Sequence, residues 1–507
     1  MKRREFIILS GASAIALATG CSDDQSKTPI DDLGRDMMKA DVGEDAQRQQ
    51  DLNEDLSEDG TGEADIADLG IINLNPLPIP VLLKGEQRGG IVNYDLNVQE
   101  STHTFFENIA APTFGINGDI LGPTLLLENG KQISINYKNQ LAETITMHGH
   151  GMHTPALMDG TPHQPIMPGQ TWSAEYTVNQ RASTCWYHPH TMDETAKQVY
   201  KGLAGLIIVE DDESKALDLP KRYGVDDIPL VLQDRRFKDG KLDYSPSRME
   251  IMRGYIGDTL IANGAIDSQF DAEAKEIRFR ILNGSNSTVY KLAFSDGRSF
   301  KQIATDASFL EQPVELSELT LSPAERAEIV VDFTNDMGEE LSLMDLTQNK
   351  SFCRIKVSTP ALVQTSLPQN LTSLTKLNEA DALRTRQFVL AGPMMRLQIN
   401  GASMDINVIN ESVKLNEIEI WEIRNNMRVD HNFHIHATHF MLLDRNNQPV
   451  PENEKGYKDC VYVPANQSVR FIVKMVDYAD PNVPYMYHCH FLEHEDAGMM
   501  GQFVVIA

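Results

Sequence analysis

This chain of 507 residues has little of what marks a disulfide scaffold, a membrane protein or a nucleic-acid binder. Its 5 cysteines are too few for a disulfide framework in a chain of this length. After the first residues, no apolar run is long enough to span a bilayer. Lysine and arginine total 45 against 73 aspartates and glutamates, a formal net charge of -28, so nucleic acid is not an expected partner.

The first residues resemble an export leader. Arg3 and Arg4 precede an apolar run that ends at Ala18, and adjacent arginines in this place are typical of a twin-arginine signal. The run leads into Cys21 through Ala-Thr-Gly-Cys, which resembles a bacterial lipobox. We therefore expect a signal peptide over residues 1–21, export to the periplasm or cell envelope, and Cys21 as a candidate lipid anchor.

Residues 22–70 are rich in aspartate and glutamate and predict a disordered acidic linker. After residue 70, one pattern occurs three times: an Asn-Gly turn, then alternating strands, then a turn that begins with proline. The Asn-Gly turns begin at Asn117, Asn263 and Asn400. The later turns begin at Pro168, Pro323 and Pro464. With little helical periodicity, this predicts an all-β chain of three sandwich domains, over 71–212, 213–380 and 381–507.

Histidine is absent from the second copy, and the other two copies concentrate it in pairs separated by one residue. The pairs are His148/His150, His188/His190, His434/His436 and His488/His490. Because alternate residues of a strand point to one face, each pair on a strand sends two imidazoles to the same side. Eight imidazoles can then meet around one metal cluster if the first and third domains pack together. The middle domain is a spacer in this interpretation and donates no ligand.

Cys489 stands between the two histidines of the last pair, so on a strand it points away from them towards a second site. His494 and Met499 follow it, and His431 stands three residues before the third pair as the natural second imidazole. Two imidazoles, a thiolate and a weak thioether are the ligands of a blue-copper electron-transfer centre. Structural zinc more usually takes four cysteines, or two cysteines and two histidines.

These motifs resemble multicopper oxidases of the bacterial laccase and cuprous-oxidase type, and the resemblance covers about residues 75–507. It includes Leu121-Gly122-Pro123 and the segment from Gly202 to Gly205. It implies three consecutive cupredoxin-like Greek-key sandwiches and four copper ions. By position, it assigns the type 1 copper to His431, Cys489, His494 and Met499, the type 2 copper to His148 and His434, and the type 3 pair to His150, His188, His190, His436, His488 and His490.

The residues explain the logic of this assignment. Cys489 is bonded through the backbone to two cluster ligands that face away from it, so an electron has a short covalent route. In the first domain Pro189 stands where Cys489 stands, and one electron-accepting site is expected. The resemblance also places Asp159 and Glu495 at proton-relay positions, since reducing O2 consumes protons. Orientation of a ligand imidazole is the alternative role for both carboxylates, and the two roles can coexist.

The implied activity is the oxidation of a phenol, an aromatic amine or a metal ion, coupled to reduction of O2 to two H2O, by a monomer. A dedicated cuprous oxidase is the alternative, although such relatives usually carry a dense methionine-rich insertion. Here the methionines are scattered, at Met394, Met395, Met404 and Met427. The acidic balance slightly favours cationic or neutral donors. A non-catalytic cupredoxin-domain division or assembly protein is a third hypothesis, but such relatives lack the copper ligands found in this chain.

Overall fold

A computed structural model describes residues 75–507, except for 362, 364 and 393–395. The predicted signal peptide, the candidate lipid anchor at Cys21 and the acidic linker lie outside these residues, as do Met394 and Met395. The described chain belongs to one unit, Ala64–Ala507. In the described ranges, no helix is both long and apolar enough to pass through a bilayer.

The first third of the described chain forms a sandwich of ten strands. These are β1 (Leu82–Leu83), β2 (Glu86–Arg88), β3 (Ile91–Phe106), β4 (Ile109–Ile116), β5 (Thr124–Glu128), β6 (Gln132–Asn139), β7 (His148–His150), β8 (Thr171–Thr177), β9 (Ser183–His188) and β10 (Gly205–Glu210). Their two sheets have the orders β1-β5-β10-β9-β7 and β2-β3-β6-β8, with β4 paired to β3. Antiparallel pairing of β7 with β9 places His148 opposite His188.

The second sandwich has twelve strands. These are β11 (Asp227–Lys238), β12 (Lys241–Asp243), β13 (Thr259–Ala262), β14 (Ser268–Ala274), β15 (Glu276–Asn283), β16 (Tyr290–Phe294), β17 (Phe300–Ala304), β18 (Phe309–Leu316), β19 (Leu319–Leu321), β20 (Arg326–Asp332), β21 (Glu340–Asp345) and β22 (Lys350–Pro360). One sheet has the order β12-β11-β15-β20-β17-β18, with β13 paired to β11, and the other β14-β22-β21-β16-β19. Strands β15 and β20 are buried along nearly their whole length.

The third sandwich has eleven strands. These are β23 (Arg384–Ala391), β24 (Gln398–Ile399), β25 (Glu411–Lys414), β26 (Ile418–Asn425), β27 (His431–Ile435), β28 (Phe440–Arg445), β29 (Gln448–Pro449), β30 (Cys460–Val463), β31 (Ser468–Lys474), β32 (Asp480–His488) and β33 (Met500–Ile506). The two sheets have the orders β24-β23-β26-β31-β28-β29 and β25-β33-β32-β27-β30. Antiparallel pairing of β27 with β32 places His434 opposite His488.

Short helices connect the strands. The α-helices are α1 (Thr195–Tyr200), α2 (Asp212–Ala216), α3 (Arg248–Arg253) and α4 (Leu492–Asp496), and the 3-10 turns are Ala156–Met158, Glu379–Asp381 and Glu452–Glu454. Helix α3 begins at a capping box, in which the Ser247 side chain accepts from the Glu250 backbone and the Glu250 side chain accepts from the Ser247 backbone. Helices α1 and α4 follow β9 and β32, which both end in histidine, and both helices lie beside the candidate site.

Each sandwich encloses an apolar core of its own. In β6, for example, Ile133, Ile135 and Tyr137 alternate along the strand and are all buried in the first core. Burial of one such side chain stabilises the fold by about 1.5–3 kcal/mol. The alternation read from the sequence therefore reflects one face of each strand packing inwards.

Two tyrosines fix the positions of β9 and β32, which lead into the second and fourth histidine pairs. Tyr187 in β9 lies opposite Gly205 in β10, and Tyr487 in β32 lies opposite Gly501 in β33. A Cβ atom on either glycine would lie 2.3 Å from the tyrosine hydroxyl oxygen, so each ring crosses its glycine in the space that a side chain would fill. Both tyrosines are buried. The same packing therefore holds both β9 and β32 in place.

The prediction of an all-β fold with three consecutive cupredoxin-like sandwiches is confirmed, while the three domain limits stay predictions. Among the described cysteines, all four have free buried thiols: Cys185, Cys353, Cys460 and Cys489. The disulfide that the sequence left open is not formed between these residues.

Candidate metal centres

Eight histidines of the first and third sandwiches meet in a buried space. They are the eight members of the four pairs, and each is at most 1% exposed. Strand parity accounts for this only in part. His148 and His150 both lie in β7, whereas His190, His436 and His490 lie one or two residues beyond the ends of β9, β27 and β32. The chain after each of these strands nevertheless directs the second imidazole to the same space.

The imidazole nitrogens form three groups, in each of which the ligand atoms lie within 4.8 Å of one another. The groups are His148/His150/His434, His150/His188/His490 and His190/His436/His488. Every group contains histidines of both sandwiches. Neither sandwich alone could therefore supply any of these groups.

Six of the eight imidazoles direct Nδ1 to an oxygen atom, which leaves Nε2 for the cluster. Backbone carbonyls face four of these Nδ1 atoms: Asp159 O at 2.7 Å from His148, Asp459 O at 2.8 Å from His434, Pro189 O at 2.7 Å from His188, and Cys489 O at 3.1 Å from His488. Carboxylates face the other two: Asp159 Oδ2 at 2.7 Å from His436 and Glu495 Oε1 at 3.6 Å from His190.

His150 and His490 depart from this rule in different ways. The His490 Nδ1 atom has no partner, and its Nε2 lies 3.3 Å from His188 Nε2 inside the cluster. His150 is reversed, because its Nε2 lies 3.0 Å from Asp459 Oδ1 and its Nδ1 faces the cluster. Seven imidazoles therefore present Nε2 to the shared space, and His150 presents Nδ1.

The site fits a metal that prefers imidazole. His148 Nε2, His150 Nδ1 and His434 Nε2 are buried without a hydrogen-bond partner, although buried polar atoms in proteins are almost always paired. Burial lowers the pKa of five cluster imidazoles well below the ordinary value: His150, His188, His434, His436 and His490. Neutral imidazoles keep a lone pair for a metal ion, and such sites suit copper.

The second site combines sulfur with two imidazoles. The His431 and His494 Nδ1 atoms lie 3.0 Å apart and 3.5 and 3.6 Å from Cys489 Sγ. Met499 is fully buried, its carbonyl accepts from the Cys489 amide at 3.1 Å, and its amide donates to the His494 carbonyl at 3.0 Å. Burial raises the pKa of the Cys489 thiol to about 12, so a bound cation is needed to form the thiolate. The donor atoms of His431, Cys489 and His494 are brought together, and the backbone of Met499 is hydrogen-bonded to two of these residues.

The two predicted proton-relay carboxylates lie against cluster ligands. Asp159 is buried between His148 and His436, which it contacts through its carbonyl and carboxylate oxygens respectively. Glu495 Oε2 lies 3.1 Å from His488 Nδ1. These contacts fit the orientation of an imidazole, and they also place each carboxyl group one ring away from the cluster.

Two features of the site carry no signal in the sequence. Asp459 accepts from His150 and is itself paired with Arg326 of the second sandwich. Asn432 accepts from the His490 amide at 2.6 Å and donates to the Pro323 carbonyl at 2.7 Å. Both are ordinary polar residues in strands or strand ends, so only the fold shows what they contact.

Comparisons with known proteins agree with this geometry. Family models described as multicopper oxidase match residues 97–214, 262–340 and 367–507. The multicopper oxidase mco of Staphylococcus haemolyticus is 37% identical over 424 residues, which cover 83% of this chain and 90% of that protein. The cell division protein FtsP of Sodalis glossinidius is 37% identical over 448 residues, which cover 85% and 92%.

Solved structures show the same likeness. The crystal structure of a laccase from Pediococcus acidilactici superposes with a TM-score of 0.81 at 34% identity, and covers 86% of this chain and 95% of that one. Likeness of this extent, in sequence and in fold, shows that the chain belongs to the multicopper oxidase family and is a copper-binding oxidoreductase.

Proposed function

We propose that this protein is a laccase-like oxidase that takes single electrons from a small aromatic donor and reduces O2 to two H2O. The observation that carries the proposal is the placement of the sulfur site and the imidazole cluster on opposite sides of three consecutive buried residues, His488, Cys489 and His490. An electron accepted at the sulfur site can then reach the cluster through these buried residues without passing through the protein surface.

The buried donor atoms would hold four copper ions. His431, Cys489, His494 and Met499 would hold a type 1 copper, His148 and His434 a type 2 copper, and His150, His188, His190, His436, His488 and His490 a type 3 pair. Bound copper supplies the one-electron redox chemistry that links a single-electron donor to the four-electron reduction of O2.

The carboxylates would deliver the protons that reduction of O2 consumes. The Asp159 and Glu495 carboxyl groups lie within one imidazole ring of the cluster. Both side chains are excluded from bulk water, with 1% exposure, so the protein supplies the proton path itself. The same carboxylates orient His436 and His488, and one residue would thus perform both roles.

A cavity of about 420 Å³ beside the sulfur site would receive the donor. Met252 and Ala497 line it, and the Met252 carbonyl accepts from His494 Nε2 at 3.3 Å. Its charged lining residues are Arg248 and Arg396. Although the whole chain is acidic, this local charge favours an aromatic donor that carries a carboxylate, because nearby charges act more strongly than distant, screened ones.

One observation favours cuprous ion as a second candidate donor. Met427 Sδ lies 3.2 Å from His431 Nε2, on the side of the ring away from the sulfur site. Thioethers are ligands that select Cu(I). A single half-buried methionine at this place supports oxidation of Cu(I) less strongly than the dense methionine cluster usual in dedicated cuprous oxidases.

The name of the division-protein relative suggests a role without catalysis, but the ligands favour the oxidase. A scaffold would not need twelve buried metal-binding side chains, several with unpartnered nitrogen atoms. Such atoms cost stability unless a metal occupies them.

The test is O2 uptake by the copper-loaded protein with 2,6-dimethoxyphenol, with syringate as its carboxylate counterpart, and with Cu(I). We expect a blue protein that consumes O2 with both phenols and has the lower KM for syringate. Arg248→Gln should raise the KM for syringate alone, while Arg354→Gln, an ion-pair residue of the second sandwich, is the matched control. A colourless protein without O2 uptake would overturn the oxidase, and uptake with Cu(I) alone would favour the second candidate.

A further inference from the structure

A buried ion pair joins the second sandwich to the third. Arg326 Nη1 lies 2.7 Å from Asp459 Oδ1, and Arg326 Nη2 lies 2.5 Å from Asp459 Oδ2, so the guanidinium binds the carboxylate with both of its ends. Neither side chain is exposed. Paired contacts of this kind fix the plane of a carboxylate as well as its position.

Asp459 also contacts two histidines of the cluster. Its Oδ1 accepts from His150 Nε2 at 3.0 Å, and its backbone carbonyl accepts from His434 Nδ1 at 2.8 Å. One residue therefore holds an imidazole of the first sandwich and an imidazole of the third. The two rings that it holds are stacked, with centroids 3.6 Å apart.

The contact with the carboxylate explains why His150 is reversed. Arg326 donates to the carboxylate and needs it as an acceptor, so the hydrogen on the imidazole must lie on Nε2. A neutral imidazole carries one N–H and one lone pair, and the lone pair is then left on Nδ1. That atom is buried without a partner and faces the cluster.

Arg326 itself is held by the first and second sandwiches. Its Nε donates to the Thr184 carbonyl at 2.9 Å, and its Nη2 donates to the Asp306 carbonyl at 3.0 Å. Gly151, the residue after His150, has φ +83° and leaves space for the pair, because a Cβ there would lie 2.6 Å from Asp459 Oδ2 and 2.8 Å from Arg326 Nη2. The side chain thus stands where all three sandwiches meet.

We propose that Arg326 and Asp459 act together as positioning residues that fix the tautomer and the orientation of His150, so that this one imidazole offers Nδ1 to the copper cluster. The second sandwich donates no ligand, yet through Arg326 it determines the geometry of one. The inference rests on the proposed copper cluster.

A neighbouring ion network supplies the control. Glu328 binds Arg278 and Arg280, and it accepts from the Thr184 hydroxyl of the first sandwich at 2.6 Å. It is as buried as Asp459 and also joins two sandwiches, but its hydrogen bonds and ion pairs in the described chain involve no histidine. A general loss of stability from a neutralised buried carboxylate should therefore be equal in Glu328→Gln and Asp459→Asn.

The experiment compares copper binding in the full-length wild type, Asp459→Asn and Glu328→Gln. The asparagine amide can donate to His150 Nε2, which moves the imidazole hydrogen to Nδ1 and blocks the ligand atom. We expect Asp459→Asn to keep its blue absorption, since the sulfur site is separate, but to bind cluster copper about 10- to 100-fold more weakly in titrations against a chelator. Glu328→Gln should bind copper as the wild type does.

A second measurement needs no copper. Histidine-15N NMR of the metal-free protein, with the His150 signal assigned from its loss in His150→Gln, should show Nε2–H in the wild type and Nδ1–H in Asp459→Asn. Arg326→Lys, which keeps the charge but not both contacts, should show an intermediate loss of copper affinity. An unchanged tautomer, or equal copper affinity in Asp459→Asn and the wild type, would overturn the inference. Because the NMR result does not depend on catalysis, it separates this inference from the proposed oxidase function.

Discussion

The strands β9 and β32 are built alike, and only one of them leads to a sulfur site. Both end in the Tyr-His of a Tyr-His-X-His motif, and both tyrosines lie across a glycine of the next strand. In both motifs the first histidine directs Nδ1 to the carbonyl of the following residue. The residue X is Pro189 in the first sandwich and Cys489 in the third. The shared features all serve the cluster.

The differences between the two segments all concern the sulfur site. Each of the four sulfur-site ligands in the third sandwich has a counterpart in the first that cannot bind copper in the same way. In sequence position, the counterparts of His431, Cys489, His494 and Met499 are Ile145, Pro189, Glu194 and Val199. A cluster shared between two sandwiches needs ligands from both, whereas an electron donor needs one site.

Removal of the Cys489 thiol should have the largest effect on activity. Cys489→Ser makes the third sandwich resemble the first, and we expect loss of the blue absorption and a fall in O2 uptake of about 10³-fold or more. The measurements are the visible spectrum and the oxygen electrode.

The reverse change tests whether the cysteine is sufficient. Pro189→Cys should add no second blue centre, because Glu194 and Val199 still stand where an imidazole and a thioether are needed. An additional blue band in that variant would contradict the comparison.

Substitution of Glu495 should have the next largest effect on kcat, and substitution of its counterpart in the first sandwich should have little effect. Glu495 follows the last histidine of its segment by five residues, and Thr195 is its counterpart in the first sandwich. Glu495→Gln should lower kcat about 10²-fold by removing a proton carrier, while leaving the blue absorption intact. Thr195→Val, which loses a hydrogen bond within its own turn, should change kcat little. Equal losses in both variants would assign Glu495 a structural role.

Acid should destabilise the metal-free protein through its buried imidazoles, and His494 of the third sandwich is one of them. Burial lowers the pKa of His494 from 6.5 to about 4, so the folded state holds a neutral imidazole. Unfolded chains bind the proton below about pH 6.5, and stability is therefore lost as the pH falls from 6.5 to 4, by up to about 3 kcal/mol.

Denaturant unfolding of the metal-free protein at a series of pH values measures this loss. His494→Gln should make the decline between pH 6.5 and 4 shallower. Its counterpart Glu194→Gln changes a residue that pairs with Lys197 at the surface and should leave the decline as it is. A parallel decline in all three proteins would contradict the assigned cause.

The smallest effects should come from the paired glycines. Gly205→Ala and Gly501→Ala each place a methyl group 2.3 Å from a tyrosine hydroxyl, and overpacking of this kind costs about 1–3 kcal/mol. Both variants should unfold at lower denaturant concentration by similar amounts, and Gly501→Ala alone should also shift the blue absorption, since β33 pairs with the strand that leads directly into Cys489. A spectral shift in Gly205→Ala would show that the two strands are not independent.

The sequence predicted the three sandwiches and the grouping of ligands, because turns and alternating strands are local patterns. The four histidine pairs meet in one space, as alternation along a strand predicts, but alternation accounts for only part of their placement. His190, His436 and His490 reach the cluster from beyond their strands, so the turn after each strand directs them. Local alternation cannot predict how a chain leaves a strand.

Asp459 and Arg326 lay beyond prediction for a different reason. They are 133 residues apart in the chain, and neither belongs to a motif with a spacing. The pair forms because three sandwiches meet at one point, which depends on the packing of whole surfaces. The positive charge of Arg248 and Arg396 beside the sulfur site is likewise opposite in sign to the net charge of the chain. A net charge describes the field far from the protein and does not predict the charge at one site.

The shared cluster has a further consequence for the chain as a polymer. His190 and His488, two of the assigned cluster ligands, are separated by 298 residues, and the entire second sandwich lies within that loop. A metal bound by both ends closes the loop as a crosslink would, and a loop of this length restricts the unfolded chain by an entropy worth about 6 kcal/mol. A protease cut within the second sandwich should then leave the two fragments joined until a chelator releases them.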